Sequence, residues 1–232
     1  MVTYKKNKYN GLKIMSSICL YSGQVNGTCS IPASKSQSMR ALFFASLGVG
    51  ESVIDHLLNS PDIDAMIKAC QSFGAKIERH GSQCLIHGVA GQPITPDDVI
   101  DAGNSGQVLR FMACLAGLQS EYVVITGDHS IRHHRPVAPL LEALPRLGMR
   151  CYSLKGNGLA PLILKGPITS CHTRLCGQDS QPVSGLLMCA PFSERGMEIE
   201  VENPGELPWI DLTLSWLDRF HIPYENQQYQ YY

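Results

Sequence analysis

The sequence repeats itself three times, and this period constrains its fold more than any other feature. A helix-end phrase recurs as Phe73-Gly74-Ala75-Lys76-Ile77, Leu147-Gly148-Met149-Arg150-Cys151 and Phe220-His221-Ile222-Pro223-Tyr224, at steps of 74 and 73 residues. Ahead of each phrase a proline opens a helix, at Pro61, Pro136 and Pro208, with steps of 75 and 72. Proline is tolerated at a first helical position because its missing N–H had no partner there. A small polar cluster opens an apolar run in each unit: Ser34-Lys35-Ser36, Gly103-Asn104-Ser105-Gly106 and Asp179-Ser180-Gln181. Three landmarks in one order imply three copies of one supersecondary unit.

Each unit reads as β-α-β-α-β-β. A strand, such as 29–32, leads into the polar cluster. The cluster caps a helix over 38–47, 108–118 or 183–190. A strand follows over 52–56, 122–126 or 197–201. The proline-initiated helix covers 63–73, 137–147 or 210–220. Two short strands close the unit, as in 76–79 and 83–86, with turns at His80-Gly81-Ser82 and Lys155-Gly156-Asn157-Gly158. The runs 108–118 and 183–190 are apolar nearly all round, which marks buried helices. The fold class is therefore α/β, with three central helices packed together inside one domain. Residues 224–232 read as the start of a last hairpin without its final turn, and the chain as a piece of a longer protein.

Composition narrows the function. Lys+Arg is 19 against Asp+Glu 20, a net charge of -1, so overall charge makes no case for nucleic acid or an anionic membrane as partner. A hydrophobic fraction of 44% with 17% charged residues suits a buried core rather than a disordered chain. No run of about 18 apolar residues occurs. The apolar patch at 14–21 is broken by Ser16 and Ser17 and reads as a strand rather than a signal peptide. The nine cysteines form no C-x-x-C pair, and most lie inside apolar runs, as Cys70, Cys114 and Cys189 do. They read as buried thiols of a cytoplasmic protein, not as metal or disulfide ligands.

The repeat gives the polar clusters chemical weight. Each central helix begins with Ser, Asn, Gly or Gln, and each start offers unpaired N–H groups and about half a positive charge. Three starts at one end make an anion site. The same residues are also ordinary N-caps, and the sequence alone leaves the two readings level. Lys35 and Arg40 add two cations near Ser34 and Ser36. Gly106 lets backbone approach a ligand closely, because glycine has no Cβ. Arg110, one turn on, faces either the same site or the surface. The segment His129-Ser130-Ile131-Arg132-His133-His134-Arg135 reads as a basic, anion-binding loop. Its histidines have no acidic or cysteine ligand nearby in sequence, so metal is the weaker reading.

Ser34-Lys35-Ser36 with Arg40, Gly103-Asn104-Ser105-Gly106, Arg135-Pro136 and Ser180-Gln181 resemble the motifs of EPSP synthases, the 3-phosphoshikimate 1-carboxyvinyltransferases of the shikimate pathway. The resemblance runs from about Thr28 to the last residue. It implies three repeats around a pseudo-threefold axis, in the N-terminal one of two similar domains. Residues 28–232 are then that domain, with repeats at about 28–90, 97–166 and 171–232. Residues 1–27 are an extension that partly belongs to the second domain.

The resemblance further implies the reaction. The enolpyruvyl group of phosphoenolpyruvate moves to the 5-hydroxyl of shikimate 3-phosphate, and phosphate is released. Lys35 and Gln181 would touch both substrates. Ser36, Arg40 and Ser180 would hold shikimate 3-phosphate. Gly106 and Arg135 would line the phosphoenolpyruvate pocket, which the inhibitor glyphosate also fills. Asn104, Asp179 and Trp209 are further candidates by position. The C-terminal domain would supply the main acid–base carboxylates, so no catalytic residue is assigned here and the chain alone is expected to be inactive. Neither a metal nor an organic cofactor is implied, and the protein is expected to act as a monomer.

Two departures concern the phosphate. Asp179 stands where many family members have a serine, and Glu206 where another has one. A carboxylate beside a phosphate is repulsive unless a cation intervenes. Trp209 replaces a tyrosine and keeps a flat apolar face without the hydroxyl. The sister enzyme that acts on UDP-N-acetylglucosamine is the nearest alternative, but it usually has Lys-Asn at 35–36 and a reactive cysteine in the 127–136 loop. A non-catalytic anion-binding repeat module is the other alternative.

Overall fold

The computed structural model describes residues 22–24 and 26–232. The patch at 14–21 lies outside them. The chain divides into two units, Met1–Pro32 and Ala33–Tyr232. In the first, the described residues are exposed and form no helix or strand.

The second unit holds the three repeats. The first comprises α1 (Lys35–Leu47), β1 (Glu51–Ile54), α2 (Pro61–Ser72), β2 (Lys76–His80) and β3 (Gln83–His87). The second comprises β4 (Ile100–Asp101), α3 (Gly106–Leu115), β5 (Tyr122–Thr126), α4 (His129–His134), α5 (Ala138–Arg146), β6 (Arg150–Ser153) and β7 (Leu162–Lys165). The third comprises β8 (His172–Cys176), α6 (Ser180–Cys189), β9 (Glu198–Glu202) and α7 (Leu207–Arg219). Each repeat builds its own small sheet, in the orders β1-β3-β2, β4-β5-β7-β6 and β8-β9. Helices α1, α3 and α6 form the centre, and α3 is buried from Val108 through Leu115. Helices α2, α5 and α7 bury one face each, such as Leu140, Ala143 and Leu144 of α5.

Side-chain size sets how closely the central helices approach. Phe43 of α1 meets Phe111 of α3 edge-on, with ring centroids 6.3 Å apart. Gly185 lets α6 approach α3: a Cβ there would lie 2.9 Å from Cys114 Sγ and 3.4 Å from the Arg110 carbonyl. Ser184 Oγ in turn accepts from the Thr213 hydroxyl of α7 at 2.9 Å.

Four local expectations need correction. Residues 29–32 form no strand. A strand persists through its ladder, and among the described residues no ladder includes these; there β1 pairs with β3 alone, whereas β4 and β8 run parallel beside β5 and β9 in the later repeats. The basic segment at 129–134 is helix α4, not a loop, because Asp128 caps it by accepting from Ile131 N at 3.0 Å. Pro136 does not open a helix: α5 starts at Ala138, with Val137 as its cap. The last turn is present. Gln228 and Tyr229 take left-handed φ values of 53° and 62°, Gln230 N donates to Gln227 O at 3.0 Å, and Tyr232 exchanges hydrogen bonds with Ile199 of β9 at 2.9 and 3.1 Å.

Candidate active site at the three helix starts

The starts of α1, α3 and α6 open onto one cavity of about 290 Å³. Lys35, Ser36 and Arg40 line it from the first repeat, Asn104, Gly106 and Arg135 from the second, and Ser180, Gln181 and Trp209 from the third. Asp179 is not on the wall. Asp62, Ser105, Gln107 and Glu206 complete the lining.

At α1, Ser34 Oγ accepts from Gln37 N at 3.4 Å, so this serine is a true cap. Lys35 is half-exposed, and its Nζ lies 3.7 Å from Asp62 Oδ2 at the start of α2. Arg40 is 1% exposed. Its Nε and Nη2 donate to Thr213 Oγ1 at 2.9 and 2.7 Å, and Nη2 also reaches Ser184 Oγ at 3.2 Å and Trp209 O at 3.1 Å. Nη1 donates to Ser36 O at 3.2 Å. Burial without a carboxylate partner among the described residues pulls its pKa down to about 10. Arg40 thus welds α1 to α6 and α7 while presenting one edge to the cavity.

At α3, Ser105 Oγ accepts from Val108 N at 3.3 Å. Asn104 donates to Asp128 Oδ2 at 2.6 Å, which ties this start to α4. Arg110 lies beneath the wall with its side chain 5% exposed. Its Nη1 donates to Gly106 O at 3.2 Å and Gln181 Oε1 at 3.3 Å, and its Nη2 to Pro136 O at 2.9 Å. Nη2 also lies 2.9 Å from Asp179 Oδ2. Burial lowers the Arg110 pKa, and the Asp179 charge opposes that shift. Arg110 is therefore internal, and periodicity could not tell that from surface. Arg135 is exposed at the end of α4 and faces the cavity with no carboxylate partner among the described residues.

At α6, Asp179 caps the helix by accepting from Gln181 N at 3.0 Å. Its other oxygen meets Arg110, so the cation that this position requires stands beneath the site. Ser180 is buried, and both its N–H, at 3.2 Å, and its hydroxyl, at 2.8 Å, donate to Glu206 Oε2. Trp209 holds an exposed ring at the rim. Asp62 is the lining carboxylate that spacing did not single out; its place one residue after the helix-opening Pro61 was the available signal.

The arrangement is suited to binding anions. Three helix starts, three cations at the wall and several N–H and O–H donors converge, and the carboxylates present already have partners. His129 and His133 stack at 4.2 Å between centroids, and the described residues hold no cluster of three or more His, Cys, Asp or Glu arranged for a metal ion. No described helix is long and apolar enough to cross a membrane.

Fold and site together define a threefold-repeat α/β domain whose central helix starts open onto one polar cavity. The profile of the EPSP synthase (3-phosphoshikimate 1-carboxyvinyltransferase) family matches residues 21–232, and the chain belongs to that family. Curated relatives named 3-phosphoshikimate 1-carboxyvinyltransferase share 41% identity in Acetivibrio thermocellus, over 89% of this chain and 49% of the relative. In Chlamydia caviae the identity is also 41%, over 88% of this chain and 46% of the relative. The chain thus spans about half the length of the curated relatives it matches. The EPSP synthase structure from Acinetobacter baumannii superposes with a TM-score of 0.78 at 23% identity, covering 88% of this chain and 46% of that one, and so shares the fold.

Proposed function

We propose that this chain is the N-terminal half of an enzyme that transfers the enolpyruvyl group of phosphoenolpyruvate to the 5-hydroxyl of shikimate 3-phosphate. The observation that carries the reading is the meeting of three repeat-equivalent helix starts, with Lys35, Arg135 and Gln181, at one cavity in a member of the EPSP synthase family. Residues 28–232 form the substrate-binding domain, and residues 1–27 are an extension that partly belongs to the second domain. In this reading Lys35 and Gln181 meet both substrates. Ser36, Arg40 and Ser180 hold the shikimate substrate, Trp209 lies under its ring, and Gly106 and Arg135 border phosphoenolpyruvate.

The chemistry explains why half a site is inactive. The 5-hydroxyl oxygen adds to C2 of phosphoenolpyruvate as its proton leaves to a base and C3 gains a proton from an acid. Phosphate then departs as C3 gives up a proton, which restores the double bond. Those transfers need groups of tuned pKa, and the lining carboxylates here, Asp62 and Glu206, are held by Lys35 and Ser180. The acid–base groups come from the second domain, whose closure also excludes water. No metal or organic cofactor takes part, and the enzyme works as a monomer in the cytoplasm.

A chimera joining this chain to the C-terminal half of a curated relative tests the reading. It should rescue growth of a strain lacking the shikimate enzyme, the chain alone should not, and Lys35→Ala should abolish rescue. Rescue by the chain alone, or none by a folded chimera, would refute it.

A further inference from the structure

Glu206 spends its side chain on a neighbouring helix. It stands at the cap position of α7 with a left-handed φ of 49°, yet makes no side-chain cap bond to α7. Its carboxylate instead reaches the start of α6, where one oxygen accepts from both Ser180 N and Ser180 Oγ. The backbone holds it there. Gly205 N donates to Gly177 O at 3.0 Å, and a Cβ at Gly205 would lie 2.7 Å from Gln178 O, so the corner before α7 is pressed against the segment that enters α6. The other carboxylate at this helix start does not compete for Ser180, since Asp179 is bound to Gln181 N and Arg110. Glu206 is exposed and has no ion-pair partner among the described residues, so its hold on this helix start rests on Ser180 and its side chain borders solvent.

We propose that Glu206 is a resident anion occupying the phosphate-binding end of α6, and that a phosphate-bearing ligand binds by displacing its carboxylate. The inference rests on reading the cavity as a phosphate site. Ser180 offers two donors at a positive helix end, and a phosphate oxygen requires the same donors. Carboxylate and phosphate repel at contact distance, so they exclude one another. Glu206 thereby sets the phosphate affinity of the site and leaves a ligand without phosphate unaffected. It is a specificity-determining residue, not a catalytic one.

The test uses the labelled 232-residue chain with Glu206→Gln, which keeps the reach and removes the charge. Glu206→Gly serves as a second variant that suits the left-handed backbone. Inorganic phosphate is titrated while the Ser180 amide signal is followed. Both variants should bind phosphate about tenfold more tightly than the parent, equivalent to about 1.4 kcal/mol, and shikimate affinity should not change. A gain below about twofold, or a Ser180 amide that ignores phosphate in the variants, overturns the proposal. A parallel titration with shikimate 3-phosphate separates the two readings. Tighter phosphate binding with no response to shikimate 3-phosphate keeps the role of Glu206 and refutes the substrate. Binding of shikimate 3-phosphate with no variant effect does the reverse.

Discussion

The guanidinium of Arg110 lies 2.9 Å from the carboxylate of Asp179, and this pair joins the central helix of the second repeat to that of the third. The cation is nearly fully buried, while the Asp179 side chain is 35% exposed. Through Gly106 O, Gln181 Oε1 and Pro136 O, the same guanidinium also fixes three segments that border the cavity. It is a positioning group.

Asp179→Asn should therefore destabilise the chain. Breaking a buried pair costs about 3–5 kcal/mol. Here the exposure of Asp179 and the remaining acceptors of Arg110 reduce that to about 2 kcal/mol, since exposed pairs are worth at most about 1 kcal/mol. Asparagine retains the cap on Gln181. At this chain length the loss corresponds to a fall in Tm of about 4–8 °C. An unchanged Tm by calorimetry would show that Arg110 does not depend on this charge.

Gly106→Ala should act through Arg110 rather than on open space. The added methyl would lie 2.7 Å from Arg110 Nη1 and 3.2 Å from Gln181 Oε1. Arg110 cannot retreat easily because it is also held by Asp179 and Pro136 O. Overpacking of this kind costs about 1–3 kcal/mol. A lower Tm and a shifted Gln181 side-chain amide signal are expected. In the chimera, KM for phosphoenolpyruvate should rise more than KM for shikimate 3-phosphate. Normal values for all of these would remove Gly106 from the pocket.

The three repeats and the three polar helix starts were legible because landmark spacing and apolar runs are properties of sequence alone. The neighbours of single side chains were not. Periodicity puts Arg110 one turn into α3 but cannot say that Asp179, in the next repeat, lies opposite it. Helix α4 escaped notice because its His and Arg residues look like a solvated loop; the available signal was Asp128 three residues ahead of the buried Ile131. The turn at Gln228 and Tyr229 lacks the Gly or Asn that usually marks a left-handed pair. Glu206 was visible as a departure, but its reach to Ser180 depends on the backbone corner at Gly205.

Acid should release α4. The Asp128 carboxyl is held below the usual carboxylate range by the Ile131 N–H that it caps and by the Asn104 amide. A depressed folded pKa stabilises the fold fully above the unfolded value of about 3.9. That contribution is lost as pH falls through the folded value. The side-chain carboxyl carbon signal of Asp128 should titrate with its midpoint below the ordinary aspartate value of about 3.9, and Asp128→Asn should remove that transition. A midpoint above pH 5 would contradict the capping geometry.

The buried cysteines should resist alkylation. Desolvation pushes the Cys70 thiol up to about 12 and raises Cys114 and Cys189 as well. Cys29 is exposed. Iodoacetamide near pH 8 should label Cys29 and leave these three intact until denaturant is added, as read by peptide mass mapping. Fast labelling of Cys114 or Cys189 would mean that the central helices are not packed as described.

We propose that the starts of α1, α3 and α6 form one anion seat for shikimate 3-phosphate. Adding that ligand to the isotopically labelled chain tests it most directly. The open half-site keeps its cations hydrated, and exposed pairs contribute little, so a dissociation constant of order 1 mM is expected, about 4 kcal/mol of binding. The amide shifts should be confined to Lys35 and Ser36, Gly106 and Gln107, and Ser180 and Gln181. Shifts elsewhere, or no response at about 10 mM ligand, roughly ten times the expected constant, would contradict the account.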